Sequence, residues 1–146
     1  MSLTEPAGYL PNALIADIDG TVALMGDRDP YDETRVLDDQ PNVEVVRLVT
    51  VLAMNGYRIV FVSGRTEACR EDTETWLHRQ FPFYFSALHM RAIGDKRRDA
   101  EVKTEIYRER IEPHFNVRWV FDDRNQTVAA WRALGLTCLQ VAPGDF

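Results

Sequence analysis

Lysine is nearly missing: of 17 basic residues in 146, only Lys96 and Lys103 are lysines, which leaves fifteen arginines. A lysine is a compact point charge where arginine is a planar fork, so each of the two invites the question whether a point charge is needed there. An arginine-biased composition would give the same count. Cysteine is equally thin. Cys69 and Cys138 lie 69 residues apart with no second pair, which excludes a disulfide framework and a four-ligand zinc site, and leaves two reduced, buried thiols as the expectation. Long apolar runs are absent too: Ala13 to Ala16 and Ile59 to Val62 are far below the ~18 residues of a bilayer span. Met1 to Pro11 has no basic stretch followed by an apolar one, so no secretion signal is expected, no membrane partner, and a cytoplasmic location. An excess of positive charge is also lacking. A net charge of −6 and a pI of about 5.0 argue against a long electrostatic footprint on duplex nucleic acid, but do not exclude a grip on one end. No segment repeats and no Gly/Ser-rich or Pro-rich run marks a linker, so the expectation is one domain over residues 1–146, with 1–11 as a leader.

What is present is an alternation of strands and helices. Asn12 to Asp17 reads as a buried strand and Val43 to Met54 as a helix whose apolar face is Val43, Val46, Leu48, Val49, Leu52 and Ala53, stopped by Asn55-Gly56. Tyr57 to Ser63 reads as a second buried strand, Glu67 to Arg79 as a polar helix, and Phe83 to Met90 as a third strand. Asp95 to Ile111 reads as one charged amphipathic helix, Val117 to Phe121 as a strand, Thr127 to Leu134 as a helix, and Thr137 to Val141 as a last strand. Such alternation implies an α/β fold, with a mainly parallel central sheet and helices on both faces.

In such sheets ligands bind beyond the carboxyl ends of the strands. There the sequence places Asp17-Ile18-Asp19-Gly20-Thr21, Ser63-Gly64-Arg65 and Asp122-Asp123-Arg124. Four carboxylates converging on one place repel each other unless a cation sits among them, and an all-oxygen set points to a hard divalent ion, Mg²⁺ first. His78, His89 and His114 are not at these ends. A cation together with a Ser, an Arg and a Lys is equipped to hold a phosphate dianion. Asp17 can then attack phosphorus, Asp19 can protonate the leaving oxygen, and Gly20 lets the chain turn close to the ligand.

Asp17-x-Asp19-Gly20-Thr21, Ser63 at a strand end, Lys103 on a helix and Asp122-Asp123 at a further strand end resemble the ordered signature of the haloacid dehalogenase superfamily of aspartyl-phosphate phosphatases. A narrower resemblance runs from about Ala13 to Phe146, to the 3′-phosphatase domains of bacteriophage polynucleotide kinase/phosphatases. It is carried by Asp17 to Ala23, Arg28-Asp29-Pro30-Tyr31-Asp32, Val62 to Arg65, Gly94-Asp95 with Asp99 and Lys103, Ile111 to Phe115, Asp122-Asp123-Arg124 and Gln140 to Phe146. The resemblance implies a three-layer Rossmann-like fold with a minimal cap or none. It also implies a Mg²⁺-dependent phosphatase acting on the 3′ phosphate of DNA or RNA ends, in the host cytoplasm if phage-encoded. Catalytic roles fall on Asp17, Asp19, Ser63 and Lys103; substrate contacts on Thr21, Arg28, Gly64, Arg65 and Asp99, with Asp99 orienting Lys103 from one turn away. Metal binding falls on Asp17, Asp122, Asp123 and, through its backbone carbonyl, Asp19. These residues contain no Gly-x-x-x-x-Gly-Lys-Ser/Thr, so no kinase activity is expected of them, and a separate kinase or ligase partner stays open, as does the oligomeric state.

Simpler roles are expected for the other residues. Asp38-Asp39 precedes Gln40-Pro41 and follows no apolar run, so a solvated loop is expected there. Trp131 shares a helical stripe with Val128 and Leu134, and Phe81, Phe83, Tyr84 and Phe85 suit a packed strand, so all five are expected in the core rather than under bases. The 41 residues between Thr21 and Ser63 hold one helix and an acidic loop, too little for a large lid. By the resemblance, an open cleft suits a phosphate on a polymer end. Two alternatives remain: a small-molecule phosphatase or nucleotidase with the same chemistry, and a non-catalytic phosphate-binding partner of a repair kinase or ligase.

Overall fold

The structure is a computed structural model that describes residues 8–82 and 85–146. Its elements are β1 (Asn12–Ala16), β2 (Ala23–Leu24), β3 (Gln40–Pro41), α1 (Val43–Met54), β4 (Arg58–Thr66), α2 (Arg70–Gln80), β5 (Ala87–Arg91), α3 (Asp99–Ile106), β6 (Asn116–Asp122), α4 (Asn125–Ala133) and β7 (Cys138–Gln140). Five strands form one sheet in the order β5-β4-β1-β6-β7, with every neighbouring pair parallel. The chain leaves β1 towards β4 and β5, then returns to the other side of β1 for β6 and β7. The strand order therefore reverses between β1 and β6, and the crevice for a ligand opens there.

Side chains alternate across the sheet. Leu14, Ala16, Ile59, Phe61 and Phe121 face one core with Val49 of α1 and Trp76 and Leu77 of α2. Ala13, Ile15, Val60, Val62 and Val120 face the other with Val102 and Ile106 of α3 and Val128 and Trp131 of α4. Strands covered on both faces have no polar face to show, hence the continuous apolar runs. One irregularity keeps β6 in phase: Ala13 pairs with Val117 and Leu14 with Trp119, which leaves Arg118 as a bulge. Val117 then packs with one core and Trp119 with the other, where its ring meets Tyr57 edge-on at 4.7 Å.

Several boundaries differ from those read off the sequence. The Asp95–Ile111 helix starts at Asp99, because Glu101 accepts the Arg98 N–H at 3.1 Å and stops the helix there. It widens over Tyr107–Ile111 into a π turn, closed by the Glu112 N–H on the Tyr107 carbonyl, which lets Ile106, Tyr107 and Ile111 all face the core. A 3₁₀ turn, Glu67–Cys69, leads into α2. The third strand begins at Ala87 rather than Phe83; Phe83 and Tyr84 lie outside the described residues, while Phe81 and Phe85 pack on Phe61 as core residues. Between β1 and α1 the sequence showed no strand, and the structure has a two-stranded antiparallel ribbon, β2 with β3, and a 3₁₀ turn over Glu33–Asp38. This insert is small, and no lid domain is present among the described residues.

Candidate active site

The main-chain N–H of Asp17 bonds the Phe121 carbonyl, which ties the end of β1 to β6 and places Asp17 beside Asp122 and Asp123. One oxygen from each of these three buried carboxylates lies within 4.8 Å of the others. Lys103 reaches in from α3 and donates to Asp17 Oδ1 at 2.7 Å and Asp122 Oδ2 at 3.0 Å. The Thr21 hydroxyl lies 3.1 Å from Asp17 Oδ2 and 3.3 Å from Asp123 Oδ1. Gly20 makes this close approach feasible: its φ is +80°, and a Cβ there would run into the Asp123 carboxylate.

Burial pushes the Asp17 carboxyl well above its usual value against the pull of Lys103, with the charges of Asp122 and Asp123 adding to the rise. Burial likewise raises Asp123, with the Asp122 charge contributing. Burial acts on Asp122 too, but the Lys103 charge and hydrogen bonds from Trp131, Lys103 and Thr127 overcome it and hold that group below the ordinary range. Lys103 also resists burial: the charges of Asp122 and Asp17 raise it, so it stays a cation. Three carboxylates against one ammonium make an all-oxygen donor set with negative charge to spare, and that set fits a hard divalent cation. The three are not equally free. Asp122 accepts from Lys103, Trp131 Nε1, Thr127 Oγ1 and the N–H groups of Asp123 and Arg124, whereas the hydroxyl of Thr21 is the contact found at Asp123. Trp131 is a core residue, as the helical stripe predicts, and its indole N–H on Asp122 is a further contact that the stripe did not reveal.

Asp19 points another way. Its carboxylate is held by Arg65 through Nε and Nη2, the latter at 2.7 Å, and by Arg28 Nη2 at 3.2 Å. Asp19 thus stands outside the three-carboxylate cluster, beside the crevice, with 27% of its side chain exposed. Both arginines are buried and share a second carboxylate, Asp39, at 2.8 Å or 2.9 Å through each contacting nitrogen. All five Arg28 N–H groups have acceptors, namely Asp39, Asp19 and the carbonyls of Asp29 and Asp32, so Arg28 braces Asp19 rather than standing open. Arg65 also donates to Thr73. The expectation of a solvated Asp38-Asp39 pair holds only for Asp38. Asp39 is fully covered, because two buried guanidiniums need a counter-ion and its carbonyl takes the Trp76 indole N–H at 2.8 Å.

Ser63 is not, as the sequence suggested, the last residue of its strand, since β4 runs on to Thr66 past an irregularity in its pairing with β5; it is buried, and its Oγ accepts the Arg65 N–H at 3.1 Å. Next to it Gly64 lies against the Asp99 carboxylate, where a Cβ would collide. Asp99 makes its hydrogen bonds to Arg91 and to Arg124 Nη1, and acts on Lys103 only through its charge. Lys103 is instead oriented by Asp17 and Asp122.

A family model described as the polynucleotide kinase PNKP phosphatase domain matches residues 11–146. A protein of Autographa californica nuclear polyhedrosis virus described as "Putative bifunctional polynucleotide kinase/RNA ligase" is 36% identical over 126 residues, 85% of this chain and 18% of that protein. A solved structure of a Pnkp1/Rnl/Hen1 complex contains a chain that superposes with a TM-score of 0.90 at 38% identity, over 95% of this chain and 48% of that one. A second, of the Pnkp1/Rnl/Hen1 RNA repair complex, gives 0.89 at 36% identity, over 99% and 49%. This chain thus spans about a fifth of the viral relative and about half of the structural ones. With the fold, the Asp17–Lys103–Asp122–Asp123 cluster and a family match over nearly its whole length in agreement, the chain belongs to the haloacid dehalogenase-type phosphatase domains of polynucleotide kinases.

Proposed function

We propose that this chain removes the 3′ phosphate from polynucleotide ends through an aspartyl-phosphate on Asp17, with Mg²⁺ as cofactor. The supporting observation is the Asp17 carboxylate, set at the strand-order reversal with one oxygen on Lys103 and the other on Thr21, inside a cluster with Asp122 and Asp123. Asp17 attacks phosphorus in line, the bond to the 3′ oxygen breaks, and Asp19 protonates that oxygen as it leaves. Asp19 then takes a proton from the water that attacks the acyl phosphate, which frees inorganic phosphate and restores Asp17. Lys103, the Ser63 hydroxyl and the backbone at Gly64 face the charge that develops on the phosphoryl oxygens. Arg28 and Arg65 hold Asp19 in position, with Asp39 behind them. Asp17, Asp122, Asp123 and the Asp19 carbonyl would hold Mg²⁺, which would neutralise the phosphate charge.

The relatives' descriptions pair such domains with kinase and ligase activities, so a repair role beside a kinase and a ligase, on this polypeptide or another, is part of the proposal. Its test is phosphate release, with and without Mg²⁺, from matched oligonucleotides carrying a 3′ or a 5′ phosphate, alongside a 3′ mononucleotide and an aryl phosphate. Mg²⁺-dependent release with strong preference for the oligonucleotide 3′ end is expected. Equal or faster turnover of the small substrates would make the chain a general phosphatase, and no release from any of them a phosphate-binding partner.

A further inference from the structure

We infer that Phe146, stacked on the guanidinium of Arg124, is a platform for a base at the 3′ end of the polynucleotide, an inference that rests on the 3′-phosphatase reading above. Phe146 is 67% exposed, yet the segment that carries it is firmly attached. The Gly144 carbonyl accepts the Asn125 N–H at 2.8 Å and the Phe146 N–H at 3.0 Å, and the Phe146 carbonyl accepts from Arg124 Nε at 2.7 Å. Gly144 lies so close to the backbone of Asp123 and Arg124 that a Cβ would penetrate it. Gln140 adds a bond to the Asp123 carbonyl at 2.9 Å. These contacts are made by main chain or by other residues, while the ring lies over the Arg124 guanidinium, with Cζ 5.1 Å from its centroid.

Arg124 follows the candidate metal ligand Asp123 directly, and its Nη1 donates to Asp99, whose carboxylate lies against Gly64 beside Ser63. The stacked pair therefore stands on the rim of the crevice, between the carboxyl ends of β4 and β6. An ordered aromatic face at that place suits a nucleobase, since every base has a π face and stacking tolerates any sequence. A chain with a net charge of −6 has little to gain from long-range attraction to phosphates, and stacking supplies affinity that does not depend on it.

The test compares Phe146→Ala, Phe146→Leu and Phe146→Trp with the unaltered chain, by kcat/KM on an oligonucleotide 3′-phosphate, on the same oligonucleotide made abasic at its last two positions, and on an aryl phosphate. Main-chain attachments survive all three substitutions. The expected result is that Phe146→Ala and Phe146→Leu lower the preference for the oligonucleotide over the aryl phosphate by roughly tenfold, through KM, and that Phe146→Trp restores it. On the abasic oligonucleotide the unaltered chain should fall to the level of Phe146→Ala. An unchanged preference, or equal losses on oligonucleotide and aryl phosphate, would reduce the ring to a fastening of the Asp123 loop and overturn the inference. If the unaltered chain fails to act on the oligonucleotide 3′-phosphate, the functional reading itself falls, and the platform with it.

Discussion

Asp17 occupies the position where charge is most expensive and most useful. An amide there keeps the shape and the bond to Thr21 but removes the nucleophile, so Asp17→Asn should lower phosphate release by on the order of 10⁴-fold or more, with an unchanged circular dichroism spectrum. Residual turnover near the unaltered rate, in protein checked for deamidation, would assign the nucleophile elsewhere. The acidic cluster also predicts a pH-dependent response to metal. Asp17 and Asp123 are raised in the fold, so their contribution favours the folded state at low pH and declines as pH climbs through their folded values. Asp122 is lowered and runs the opposite way: its contribution is present above about 3.8 and is lost as pH falls through its folded value. Near neutrality the metal-free protein therefore bears the repulsion that a cation relieves. At a Mg²⁺ concentration a hundredfold above the Kd at pH 7.5, Tm should rise by roughly 5–10 °C at pH 7.5 and by less at pH 4.5 with the same Mg²⁺ concentration, read by thermal unfolding. A gain that is the same at both pH values would place the ion elsewhere. Three of the four carboxylates expected together were legible in the sequence because Asp17 and the Asp122-Asp123 pair each follow directly on an apolar run; the Asp19 carboxylate, expected with them, is drawn away by Arg28 and Arg65. Asp39 was not legible, since its role depends on two arginines that meet it only after the chain folds back.

At the scale of elements, the insert between β1 and α1 sends Val22, Ala23 and Val36 into one core and is also tied down by polar and charged contacts. Glu33 accepts both the N–H and the hydroxyl of Thr66, at 2.8 and 2.6 Å, and Asp39 bridges Arg28 to Arg65. Removing the shared anion strands two buried cations, so Asp39→Ala should cost about 3–5 kcal/mol in urea unfolding. It should also depress phosphate release, because Asp19 loses its brace; full stability and full turnover in that variant would contradict the network. Helices were readable from their periodicity and the buried strands from their continuous apolar runs, and α1 ends where the Asn55-Gly56 signal puts it. The ribbon of β2 and β3 escaped notice because two-residue strands carry no period. The π turn after α3 escaped because an apolar stripe does not reveal how many residues close each turn.

For the whole molecule, a wholly parallel sheet with two cores places every candidate catalytic group at one edge, and no helix among the described residues is long and apolar enough to cross a membrane. The fold class was visible from the order of apolar runs; the strand order, which puts β6 beside β1, was not, since it follows from packing between distant segments. The negative net charge predicts that the polynucleotide is held by few phosphate contacts. Log KM for a single-stranded 3′-phosphate should therefore rise with log salt with a slope of about 1–2, against about 5 or more for a protein that tracks the backbone. A steep slope would require a basic path that the charge distribution does not suggest. The most direct test of the central claim follows the phosphate itself: a single turnover of an oligonucleotide labelled in its 3′ phosphate, quenched in acid within milliseconds, with protein-bound label counted in one portion and a second portion reduced with tritiated borohydride, which expels the phosphate and marks the phosphorylated aspartate as homoserine. The account predicts label passing through the protein at Asp17, only with Mg²⁺ present, before it reaches solution; label appearing in solution without ever residing on the chain would contradict it.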